Sequence, residues 1–215
     1  MQLTAYFSLL DELQLKHGSK SLHAIYGAGC IKNPELMLIF MNPTARNISS
    51  DLEWKGLRAP WLETKNIWKP LNKLNLIDIQ ITSQILNLKP NEWDSNFALS
   101  LYTYISNNSI YITNLAKCTQ ADASHLSNSV FKDYLNQTLD EIYTINPKKI
   151  ITFGGQVSSI LLNKPIKVSN YLEDEYENLK IKEKGFKVYP SYYPVGQGMR
   201  NIGKASNRIV NIINN

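Results

Sequence analysis

Two asparagines stand where short apolar runs stop, and their side chains are the first candidates for chemistry. In LMLIFMNPTARN, residues 36–47, the run Leu36 to Met41 ends at Asn42-Pro43; in SIYITNL, residues 109–115, a β-branched run ends at Asn114. An amide offers two donors and an acceptor, the set that reads the Watson–Crick edge of a base or holds a water. Each asparagine also serves as an ordinary turn former or helix cap. Pro43 lacks an N–H for a central ladder and biases Asn42 toward extended backbone, so the chain is predicted to leave the sheet there. Around these lie Trp54 and Trp61 in a long polar loop, Gly154-Gly155 after a third apolar run, and the turn-rich stretch PSYYPVGQGMRN. Loop aromatics either pack on a sheet edge or offer a stacking platform. The glycine pair suits a phosphate cradle or tight strand-to-helix packing equally.

Other chemistries find little support. Cys30 and Cys118 are too few for a disulfide framework or a four-thiolate centre, and His17, His23 and His125 lack ligand spacing, so no metal or other cofactor is expected. Walker loop, serine elbow and paired-carboxylate patterns are missing. Cys118 has no base beside it and reads as a small core residue. The formal charge of +5 and pI near 9.0 favour a polyanionic partner without requiring one. Arg46, Arg58, Arg200 and Arg208 fall beside turns where they could meet phosphates; Lys117 is either a phosphate contact or a solvated lysine.

The elements that must carry these residues alternate. Residues 5–16 predict an amphipathic helix through Phe7, Leu10, Leu13 and Leu15, ended by Gly18. Leu36 to Met41 has no alternation, as in a strand covered on both faces. A helix is predicted from Thr64 to about Leu76, with Pro70 either delaying or kinking it; Asp78 to Asn91 reads as loop and short helix, and 96–106 as helix. After the strand at 109–115 come a long helix over 126–145, a strand in KKIITFGG, a helix in QVSSILL, a charged surface excursion from Glu173 to Lys184, a strand at Phe186 to Tyr189 and a last helix to Ile213. This order specifies one domain over 1–215, a three-layer α/β/α sandwich around a parallel sheet of about four strands. Parallel strands deliver their carboxyl ends to one rim, so Asn42, Asn114, Gly154-Gly155 and the loop after Tyr189 are expected to share it. No apolar run approaches the ~18 residues of a membrane span, and the polar start lacks a secretory pattern. A cytoplasmic, monomeric protein is expected.

Over roughly residues 25–212 the chain resembles the uracil-DNA glycosylase superfamily. IYGAGCIKNPELMLIFMNPT resembles the segment leading into the first catalytic motif, and its MNP is similar to the mismatch-specific uracil/thymine branch. APWLETKNIWKPL resembles the segment holding the aromatic that stacks on the flipped base, YITNLAKC the strand ending in the pyrimidine-reading asparagine, and VYPSYYPVGQGMRN the second catalytic motif, a loop that enters the minor groove. The resemblance implies hydrolysis of a pyrimidine N-glycosidic bond in DNA, leaving an abasic site. It implies catalytic roles for Asn42 and Tyr193 and base contacts from Phe40, Met41, Trp61 and Asn114. DNA contacts would come from Arg46, Lys117, Pro194, Gln197, Arg200 and Lys204, with Pro194 to Arg200 as a wedge. The chain departs from the pattern at Phe40, where most branches have glycine, at Thr44, which replaces glycine or tyrosine, and at Tyr193, where many have histidine. Cys118 matches one iron–sulfur ligand position without its partners. The competing readings are a glycosylase for a modified pyrimidine, in repair or in defence against phage; a non-catalytic DNA-binding member of the fold; and a flavodoxin-like nucleotide-binding domain.

Overall fold

The computed structural model describes residues 3–73, 76–172, 174–195 and 200–214. Its sheet is built from β1 (Ala28–Gly29), β2 (Leu36–Phe40), β3 (Ile110–Asn114), β4 (Lys149–Phe153), β5 (Glu177–Ile181) and β6 (Lys184–Ser191), in the order β1-β3-β2-β4-β6-β5. The four middle strands β3, β2, β4 and β6 are mutually parallel. The outer two, β1 and β5, run antiparallel to their neighbours, so the sheet is mixed and six-stranded rather than purely parallel. The charged segment from Glu173 to Lys184 supplies β5, which the charge density had disguised as a surface excursion. Glu177, Leu179 and Ile181 alternate inward while Asn178 and Lys180 face water. Charge on an exposed edge strand also discourages pairing with another chain.

Both faces of the sheet are covered, which explains why β2 is apolar throughout. Leu36, Leu38 and Phe40 point to one side, hereafter the near face. There they join Ile110, Ile112, Ile151 and Phe153 beneath α2 (Trp68–Lys73), α3 (Ile79–Asn87), α4 (Ser95–Asn107) and α8 (Ile202–Asn214). Met37 and Ile39 point to the far face and pack with Ile150 and Val188 under α1 (Phe7–His17), α5 (Asn128–Asp133), α6 (Leu135–Ile145) and α7 (Gly155–Leu161). An α/β architecture follows directly from this alternation.

Local signals set the helix ends. Asp78 and Asp94 accept from Ile81 N and Phe97 N, capping α3 and α4, and Asn146 closes α6 in the left-handed region at φ 56°. Pro70 lies in the first turn of α2, where its missing N–H is unneeded, so the helix starts late instead of kinking. The predicted single helix over 126–145 is divided at Tyr134, whose N–H bonds Phe131 O in a tightened three-residue turn. Leu15, placed on the buried face of α1 by spacing, is 62% exposed.

Pro43 does not carry the chain away from the sheet at once. Gln120 N donates to Pro43 O at 3.1 Å and Ala45 N to Gln120 O at 2.8 Å, so residues 43–45 run on beside 116–120 before the long loop begins. That loop is pinned by Asn47, whose buried amide donates to Ala59 O at 2.8 Å and accepts from Ser49 N and Ser49 Oγ. Ile48 N bonds Leu62 O, and the Tyr102 hydroxyl bonds Pro60 O. Both chain neighbours of Trp61 are therefore tied down.

Candidate functional site

An aromatic cluster occupies the carboxyl rim of the near face. Phe40, the last residue of β2, stacks on Phe153 with ring centroids 4.4 Å apart and planes 19° from parallel. Trp61 meets Phe40 edge-on at 4.9 Å, and Tyr193 does so at 5.9 Å. Edge-to-face and offset contacts of this kind are favourable beyond simple burial. Strand geometry brings Phe40 and Phe153 there, the pinned loop brings Trp61, and the turn after β6 brings Tyr193.

Asn114 ends β3 in register with Phe40 on the adjacent strand. It follows Ile110 and Ile112 by alternation, so its side chain lies on the near face, and it is 3% exposed. Among the described residues its amide makes no hydrogen bond, and it is not among the polar atoms shut off from solvent, so a water or a ligand can reach it. Four polar side-chain atoms are buried without a partner among the described residues: the Trp61 indole Nε1 and the Ser191 hydroxyl at this rim, the Trp93 indole Nε1 elsewhere in the near-face core, and the Tyr134 hydroxyl behind the sheet. Ser191 ends β6 opposite Phe153, two residues before Tyr193. Asn42 lies two residues past Phe40, half-buried, with Nδ2 donating to Pro43 O at 3.1 Å. Its Oδ1 accepts nothing among the described residues, which leaves an acceptor for a water proton.

Burial pushes the Tyr193 phenol well above its ordinary value, so the hydroxyl remains a neutral donor throughout the physiological range. Burial also raises the Cys118 thiol, in keeping with a core residue rather than a nucleophile.

The sequence-predicted residues therefore divide. Asn114, Trp61 and Tyr193 assemble around Phe40, with Asn42 at the same strand end. Phe40 itself is 0% exposed and supports the other rings instead of facing a ligand. Met41 alternates to the far face and packs in that core, away from any base held on the near face. Lys117 is 2% exposed and ion-paired to Glu141 at 2.8 Å, so it is withdrawn from phosphate. Pro194 is buried and Val195 packs in the near-face core, so neither is a wedge tip; Gln197 lies outside the described residues. Arg46, Arg200 and Lys204 are exposed. Arg58 is taken by Asp11, at 2.9 and 3.1 Å, and Arg208 is buried, donating to Pro190 O, Leu172 O and Glu175 O.

Sequence reasoning missed Phe153 and Ser191 as site residues. The signal was present for both: each ends a strand whose carboxyl end points to the same rim. Among the described residues no group of three or more His, Cys, Asp or Glu side chains is placed to hold a metal, and no helix is long and apolar enough to cross a membrane. No protein-family model matches the chain, and no curated protein sequence matches it significantly.

Proposed function

We propose that the chain is a monofunctional DNA glycosylase. It would hydrolyse the N-glycosidic bond of a flipped-out uracil or related pyrimidine, on a three-layer α/β/α sandwich of the uracil-DNA glycosylase type. One observation carries the reading: the unpartnered Asn114 amide sits in register with Phe40, within a cluster that also holds Trp61 and Tyr193, at the carboxyl rim of parallel strands. Aromatic faces beside a free amide match a planar heterocycle that must be both stacked and read.

In this reaction the C1′–N1 bond breaks with its electron pair leaving on the base, while a water oxygen bonds C1′ and releases its proton to solvent. Trp61 offers a stacking surface worth about 1–3 kcal/mol per base. Asn114 hydrogen-bonds O4 and N3–H, a pattern that accepts uracil and disfavours cytosine. Asn42 orients the attacking water through its open Oδ1. Tyr193, kept protonated by burial, donates toward O2, where negative charge develops. An amide is no general base near neutrality, so the rate should be slow and nearly flat with pH. Arg46, Arg200 and Lys204 would hold the backbone of the DNA.

The test is alkali cleavage of oligonucleotides carrying uracil, mismatched thymine, hydroxymethylated or glucosylated pyrimidines. Abasic product is expected from at least one of these, with Asn42→Ala losing release while still binding DNA, and Asn114→Asp sharply weakened. Salt-sensitive binding with no abasic product from any oligonucleotide would overturn the proposal.

A further inference from the structure

Directly behind Asn114, on the far face of the sheet, lies a closed polar network. Thr113 precedes Asn114 and so faces the other way, donating from Oγ1 to Glu141 of α6 at 3.2 Å. Lys117 Nζ donates to Glu141 Oε2 at 2.8 Å, to Thr113 Oγ1 at 2.7 Å, and to the main-chain oxygen of Asn114. The Tyr111 hydroxyl donates to Glu141 Oε1 at 2.6 Å. All three donors of the ammonium are thereby engaged. Gly27 backs onto the same network: a Cβ there would overlap the Tyr111 hydroxyl and crowd the Glu141 carboxylate.

A buried ion pair is a poor way to gain stability, because well-packed apolar residues of similar size commonly do as well or better. An apolar replacement cannot, however, hold a carbonyl. The one main-chain atom that Lys117 grips belongs to the residue whose amide faces the rim on the near side.

We propose that Lys117 and Glu141 form a positioning pair. They clamp the Asn114 carbonyl from behind the sheet and so set the depth and angle at which its amide meets the base, and with them the discrimination between uracil and cytosine. The inference rests on the function proposed above.

The double variant Lys117→Met/Glu141→Leu removes both charges together and leaves no buried ion unpaired. Its single-turnover excision of uracil is expected to fall about tenfold or more, with narrowed discrimination against cytosine, while affinity for an abasic-site oligonucleotide changes less than about twofold. Lys117→Arg, which keeps the charge, should retain part of the lost rate. A readout independent of catalysis is the side-chain NH2 signal pair of Asn114 in 15N NMR, expected to be sharp in the parent and shifted or broadened in the double variant. Parent-like excision and discrimination, or an unmoved Asn114 signal, in the folded double variant overturns the positioning pair. If the parent excises nothing, the glycosylase reading falls and the NMR comparison alone decides the clamp. Should the double variant not fold, Tyr111→Phe withdraws one Glu141 donor more gently and must move the same signal in the same direction; an unmoved signal overturns the proposal.

Discussion

Thr113 and Asn114 are consecutive residues of one strand, yet they face opposite kinds of surroundings. Behind the sheet, the polar groups of Thr113, Tyr111, Lys117 and Glu141 are matched to one another. In front of it, the Asn114 amide has no described partner, and the Trp61 Nε1 and Ser191 Oγ are buried and unpaired. Matched buried groups fix a structure, whereas unmatched ones beside aromatic rings leave hydrogen-bonding capacity that the proposed function would use.

The largest expected effect lies on the matched side. Lys117→Ala strands the Glu141 carboxylate and should cost about 3–5 kcal/mol in urea denaturation, whereas Asn114→Ala, losing no protein hydrogen bond, should cost less than about 1 kcal/mol. Equal losses would erase the contrast. A middle-sized effect concerns alkali. Burial raises the phenols of Tyr102, Tyr111 and Tyr193 in the folded state. Stability from a group whose folded pKa is raised is complete below its unfolded value and declines above it, so unfolding free energy should begin to slip above about pH 8.5, where the buried Cys118 thiol would ionise on unfolding, and fall more steeply above about pH 10 as the phenols follow. Tyr193→Phe should soften that decline. A stability curve with no steepening above about pH 10 would contradict the burial of these phenols. The smallest effects belong to exposed cations: Arg46→Ala and Lys204→Ala should each lower the salt slope of DNA binding by about 1, with no shift in melting temperature.

Much of this division could be read in the chain beforehand, and some could not. The unbroken apolar run of β2 announced a strand covered on both sides, and its end at Asn42 pointed to the rim. Period-two alternation also distinguishes Phe40 from Met41, although the resemblance implies base contact for both. Lys117 was illegible for a different reason: its partner Glu141 lies 24 residues away on α6, and nothing local marks a lysine as buried. The pairing of β5 was hidden because an edge strand solvates one face, and the break at Tyr134 because one tightened turn leaves the helical period almost unchanged. The clustering of Trp61 with Phe40 depended on Asn47, whose grip on Ala59 spans a loop with no periodic signal.

Trp61 adopts φ 65°, a left-handed conformation that a bulky L residue enters at a cost of roughly 1–2 kcal/mol and that glycine enters freely. A turn shaped by backbone convenience alone would carry no ring at that point. Trp61→Gly should therefore relax the loop while stripping it of its indole. The strain of that main chain is therefore carried together with the ring contact to Phe40, and the two would be lost or relieved as one.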